Sequence, residues 1–309
     1  MQQQSIRFIG LAGFVIAFTC GEAFAVPPPT SMCKVGRGRP LATVIFLHGL
    51  GGGPGGITNE RVIRAFSRHG GAFRIVSPGL RPVEMRGEEI LDRGPHTMSD
   101  QLQRIRHIID RTEGKIIPVG HSFGGKATNK LAREYPDRIP CVVQINPSVN
   151  MLYSYWKRLT GERGVPADRQ TVSRRLEQHE TWLRDQREVA RSARQSDRVD
   201  LFDGELGFLT TMRDLLNFNE TAQETGIHKP TLVLKGTADD AASVHYARRY
   251  AQDPENTGIT MIEFEGLDHH LLAYKTLPDG EIVMDQRRAD RDTEKMTNAI
   301  VRFVRQHLR

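Results

Sequence analysis

Short runs rich in β-branched residues alternate with helical segments along this chain, and that alternation restricts its fold more than any other feature. Residues 42–49 (ATVIFLHG), 72–79 (AFRIVSPG), 115–120 (KIIPVG), 139–146 (IPCVVQIN), 230–236 (PTLVLKG) and 258–266 (GITMIEFEG) read as strands. Residues 58–70 place Val62, Ile63 and Phe66 at helical spacing, and Leu102, Ile105, Ile108 and Ile109 share one face of a second helix. Two more helices are expected, from about Phe123 to Tyr135 and from about Asp292 to His307. Strands that alternate with helices in this way imply an α/β fold with a mostly parallel sheet.

The alternation breaks once. Between Pro147 and Lys229 there is no strand signal, and the segment is dominated by charged helical sequence. It reads as a helical cap over residues 148–228, inserted into one core formed by residues 26–147 and 229–309. Residues 157–198 carry eleven Lys or Arg against seven Asp or Glu, which suits either a solvated helical face or a mildly cationic rim. The chain as a whole has a net charge of +6, yet its basic and acidic residues are interleaved, so no polyanion-binding block emerges and nucleic acid is not an expected partner.

The first residues follow the grammar of a secretory signal: Arg7, an apolar stretch from Phe8 to Phe18, then Ala23-Phe24-Ala25 ahead of a proline run. Cleavage after Ala25 is expected, because the apolar stretch is shorter than the roughly 20 residues a spanning helix needs. The mature chain should therefore be exported, periplasmic or secreted, with no membrane span. It would retain Cys33 and Cys141, which can pair in an oxidising compartment. Neither cysteine has metal-site spacing, and no metal is expected.

Two glycine patterns carry possible chemistry. Gly51, Gly53 and Gly56 satisfy the dinucleotide pattern G-x-G-x-x-G, but the strand that should end in a ribose-binding acid ends IVSPG, and Pro54 removes one N–H from any phosphate cradle. This run reads instead as a loop beside an active site. Gly120-His121-Ser122-Phe123-Gly124 matches G-x-S-x-G where a strand turns into a helix, the context a nucleophile elbow requires. A serine hydroxyl needs a base, and the base needs an orienting carboxylate. Downstream, Asp239 or Asp240 follows one strand and His269 or His270 the next, the order Ser, acid, His expected on such a sheet. Asp268 is a third acid close by.

With FLHG (46–49), GHSFGG (120–125), LKGTADD (234–240) and GLDHH (266–270) in these positions, nearly the whole mature chain resembles the α/β-hydrolase family. The resemblance implies Ser122 as nucleophile, Asp239 as orienting acid and His269 as base. It also implies the backbone N–H groups of Leu50 and Phe123 as the oxyanion hole. In the family pattern the acid stands three residues after the turn glycine, which selects Asp239 from Gly236, and the same interval from Gly266 selects His269. Asp240 would then point away and cap a helix starting near Ala241. The implied activity is serine ester hydrolysis of a small ester or acyl substrate, without a cofactor; peptidase, amidase and acyltransferase chemistry would use the same triad. Leu206, Leu209, Met212 and Leu216 share a helical face in the cap, and Leu209 and Met212 are the expected pocket-lining pair.

Overall fold

The computed structural model describes residues 30–33, 40–49, 57–68, 73–78, 83–86, 89–92, 98–149, 169–195, 198–199, 206, 209 and 229–308. In chain order the elements are β1 (Thr30–Cys33), β2 (Ala42–Leu47), α1 (Ile57–Arg68), β3 (Phe73–Pro78), β4 (Val83–Arg86), β5 (Glu89–Asp92) and α2 (Met98–Asp110). They continue as β6 (Ile116–His121), α3 (Phe123–Glu134), β7 (Val142–Ile145), α4 (Arg169–Ser192), β8 (Thr231–Gly236) and α5 (Val244–Gln252). The last are β9 (Ile259–Phe264), β10 (Tyr274–Thr276), β11 (Ile282–Met284) and α6 (Gln286–His307).

Seven strands form one sheet in the order β1-β3-β2-β6-β7-β8-β9. The six strands from β3 to β9 run parallel, and β1 joins β3 antiparallel at the edge. The central strands β2, β6, β7 and β8 are buried along their whole length, as expected when helices cover both faces of a parallel sheet. Alternation along β2 assigns the two faces. Ile45 and Leu47 pack with Ile105 and Ile109 of α2, Leu131 of α3 and Val172, Leu176 and Leu183 of α4. Val44 and Phe46 point the other way, to Val62 and Phe66 of α1 and Met296, Ile300 and Val304 of α6. The Phe46, Phe66 and Phe73 rings meet edge to face at centroid distances of 5.9 and 6.2 Å.

Helix α4 lies inside the segment read as a cap. Its buried residues Val172, Leu176 and Leu183 form a narrow stripe that joins the α2/α3 side of the core. Its other faces carry charge, with ion pairs Arg184–Glu180 at 2.6 Å and Arg191–Glu188 at 2.9 Å. Such exposed pairs contribute about 0.5 kcal/mol or less apiece, so the helix is held by its apolar stripe.

Several elements depart from the sequence expectation. Helix α6 starts at Gln286, ahead of the expected Asp292, because the Asp285 carboxylate accepts the Arg288 backbone N–H at 3.1 Å and caps a first turn, Gln286 to Ala289, that carries no large apolar residue. Strand β1 and the hairpins β4–β5 and β10–β11 have three or four residues per strand, too short to show alternation. The expected Cys33–Cys141 bridge does not form. Cys141 is a buried free thiol, which burial pushes up to about 12. Cys33 stands in β1 and Cys141 directly precedes β7, with β3, β2 and β6 between them. Four interstrand spacings amount to about 19 Å, whereas a disulfide requires Cα atoms within about 7 Å.

Candidate active site

The loops at the carboxyl ends of β6, β7, β8 and β9 converge, and the turn after β6 is the sharpest of them. Ser122 there adopts φ 55° and ψ −119°, a left-handed conformation that costs a non-glycine residue energy. The turn leaves no room for side chains beside it. A Cβ on Gly120 would lie 2.2 Å from the Gly124 carbonyl oxygen, and one on Gly124 would lie 2.3 Å from the Leu47 carbonyl oxygen. Both glycines of the G-x-S-x-G pattern are thus required by backbone contact. Hydrogen bonds hold the strained residue: Ser122 N–H donates to Ile145 O at 3.0 Å, and the Gly125 and Ser148 N–H groups donate to Ser122 O.

His269 reaches this serine from the loop after β9. Its Nε2 lies 3.0 Å from Ser122 Oγ, and its Nδ1 lies 3.0 Å from both carboxylate oxygens of Asp239. A carboxylate can only accept, so Nδ1 carries the proton and Nε2 offers its lone pair to the serine hydroxyl. Asp239 is buried, at 4% exposure, and its Oδ1 also accepts the N–H groups of Ala241 and Ala242 at 3.0 and 2.9 Å. Its Oδ2 meets the Lys235 ammonium. Burial opposes ionisation of Asp239, but the hydrogen bond and attraction to His269, together with Lys235, outweigh it and hold the carboxyl at about 2.

The doubled residues separate by position. Asp240 is exposed, and the N-cap of α5 is Ser243, ahead of Val244; the N–H groups of Ala241 and Ala242 are bound by Asp239. His270 is exposed, and its N–H is bound by Asp268 Oδ1 at 2.8 Å. Asp268 also accepts from Leu272 N–H, so this third acid shapes the loop. Phe123 is the first residue of α3, directly after Ser122. Leu209 is buried in the same apolar cluster as Leu47 and Phe123. Leu50, the glycine-rich run 51–56, Met212 and the leader 1–25 lie outside the described residues.

Four further residues of the site occupy positions whose identity no motif fixes. Asn146, at φ 45° after β7, donates through Nδ2 to the carbonyls of Asp268 and His269 at 3.0 and 3.1 Å and accepts the Gly236 N–H at 2.8 Å. One side chain thereby ties the acid turn to the histidine loop. His121 Nε2 lies 2.7 Å from His269 O, which requires a proton on that nitrogen. Burial, reinforced by the neighbouring His269, pushes His121 down to about 3, so it stays neutral. Ser148 Oγ lies 3.3 Å from Ser122 Oγ. Lys235, on β8, is the fourth. A polar residue at a strand's carboxyl end is the one sequence signal these share, and it fits Asn146 best.

The sheet order and these converging loops define an α/β hydrolase. Residues 44–280 match the model of the Alpha/beta hydrolase family, and the chain belongs to that family. Lipase LipV of Mycobacterium tuberculosis is 26% identical over 113 residues, which cover 34% of this chain and only 43% of that protein. The monoacylglycerol lipase of Paleococcus ferrophilus shares the fold with a TM-score of 0.54 at 19% identity, over 89% of this chain and 99% of its own. An esterase from Exiguobacterium antarcticum does so at a TM-score of 0.53 and 15% identity, over 89% and 94%. Among the described residues no helix is long and apolar enough to cross a membrane.

Proposed function

We propose that this chain is a serine hydrolase that cleaves a carboxylic ester through an acyl-enzyme. The observation that carries the reading is the unbroken line from Ser122 Oγ through His269 to the Asp239 carboxylate, with 3.0 Å contacts on either side of the imidazole. Ser122 Oγ attacks the ester carbonyl carbon while His269 Nε2 takes its proton. The resulting oxyanion is held by the N–H groups of Phe123 and Leu50, each such donor contributing about 3 to 4 kcal/mol. Collapse breaks the bond to the alcohol, which leaves with the proton from His269. Water then attacks the acyl-enzyme by the same route and releases the acid and Ser122. Asp239 orients the ring and balances the charge it gains.

The lipase and esterase names of the similar proteins favour an ester over an amide. Turnover of p-nitrophenyl esters of graded acyl length is expected, together with labelling of Ser122 by a fluorophosphonate. Faster cleavage of aminoacyl anilides would make the chain an amidase, and product partitioning toward an added alcohol would make it an acyltransferase. An unlabelled, inert protein would reduce it to a binding module on this fold. We assign Leu209 and Met212 of a helical cap to the acyl pocket, so Leu209→Trp should shift the preferred acyl length on the same ester panel. The leader sequence supports export. Mass spectrometry of protein recovered from a secreting host should find the N-terminus at Val26, and an intact Met1 in that fraction would refute it.

A further inference from the structure

Lys235 is among the largest wholly buried side chains of the protein, on a central strand whose other residues, apart from Thr231 at its start, are apolar or glycine. Its alternation sends Leu232 and Leu234 into the α1/α6 side of the core, and Lys235 to the opposite face. An ammonium taken out of water at such a position is costly unless it is paired. The pair is Asp239: Lys235 Nζ meets Oδ2, and both side chains have 0% exposure. We propose that Lys235 is a positioning residue of the triad, whose buried charge offsets that of Asp239 and thereby limits how strongly the acid end of the triad favours positive charge at His269.

Asp239 Oδ1 is engaged by the N–H groups of Ala241 and Ala242, Oδ2 by the ammonium, and His269 Nδ1 is left to share both oxygens at 3.0 Å. Burial pushes Lys235 down while the carboxylate opposes that shift, and Asp239 is held ionised. The two charges therefore persist together as an ion pair. An imidazolium forming at His269 faces this pair and not a lone anion. The other titratable groups around the ring are His121, its ring centroid 4.8 Å away and neutral, with His270 and Asp268 from its own loop. Lys235 is thus the one buried cation at the acid end of the triad among the described residues, and its charge opposes a second positive charge forming beside Asp239.

This inference rests on the reading of Ser122, His269 and Asp239 as the reacting set. The pH profile of kcat/KM on a p-nitrophenyl ester tests it in two variants. Lys235→Met removes the charge, and Lys235→Gln removes the charge but keeps a donor for Oδ2. In both, the acidic limb should move to higher pH by about one unit or more, since a nearby cation no longer disfavours the imidazolium. A purely structural lysine predicts another result: Gln restores turnover and leaves the limb at its wild-type position. An unmoved limb in both variants overturns the proposal. Where the Met variant folds poorly, the Gln variant decides, and the pH dependence of fluorophosphonate labelling reads the limb in the folded fraction alone. Ser122→Ala separates the two levels: retained turnover there defeats the triad reading, whereas an inactive Ser122→Ala with unmoved limbs defeats only the role of Lys235.

Discussion

Ser122→Ala and His269→Ala should each lower turnover by about a millionfold, and Asp239→Asn should cost about a hundredfold less. The ranking follows from what each group does. On the proposed mechanism Ser122 Oγ is the nucleophile and His269 Nε2, 3.0 Å away, the acceptor for its proton, so the loss of either stops the reaction. Asp239→Asn leaves the base in place but offers an amide where Nδ1–H needs an acceptor, so the ring adopts the wrong tautomer part of the time. The neighbours supply the control. His270→Ala and Asp240→Asn remove exposed side chains that make no hydrogen bond with Ser122 or His269 and should retain most activity. Steady-state kinetics on one p-nitrophenyl ester, with unfolding midpoints to establish that each variant is folded, decides the matter. An inactive His270→Ala beside an active His269→Ala would show that the histidine loop is set in another register.

Gly124→Ala should destabilise the protein by about 3 kcal/mol or more, a large share of the stability of an ordinary domain. The added Cβ would meet Leu47 O at 2.3 Å, the Leu47 carbonyl carbon at 2.7 Å and His48 O at 2.8 Å. All three are main-chain atoms. Leu47 cannot withdraw, because β2 is paired with β3 on one side and β6 on the other. The helix must move instead, and with it Ser122, so the variant should lose activity along with stability. Urea denaturation followed by circular dichroism measures the effect; a Gly124→Ala protein as stable and active as the parent would mean that the elbow is looser than this contact requires.

The central parallel strands were legible as continuous apolar runs, and the helices α1, α2 and α3 because each is long enough to show its period. The meeting of Ser122, His269 and Asp239 was legible for a different reason: the elbow needs glycine at fixed offsets, and the resemblance places its partners at the ends of later strands. Asn146, Ser148 and Lys235 fill no such offset. Their positions depend on which loops the sheet order places side by side, and that order is a property of pairing across more than a hundred residues, as between Asn146 and His269. The same ignorance produced the bridge between Cys33 and Cys141, since nothing local to either cysteine encodes four strands of separation. The helix cap assigned to Asp240 failed by a narrower margin: its neighbour Asp239 takes the two available N–H groups while holding His269.

Asn146 joins loops that are far apart in the chain, and this has a bearing on when the protein becomes reactive. During synthesis Ser122 is made first, Asp239 later and His269 last, 147 residues behind the serine. On the proposed mechanism the serine is an ordinary alcohol until β8 has docked beside β7, β9 beside β8, and the loop after β9 has closed on Asn146. On that mechanism a ribosome-bound or half-unfolded chain carries no activated serine, and its chemistry is latent until the sheet is complete. Any lesion that detaches the histidine loop would then return the molecule to that silent state, so damaged copies are expected to be inert toward esters.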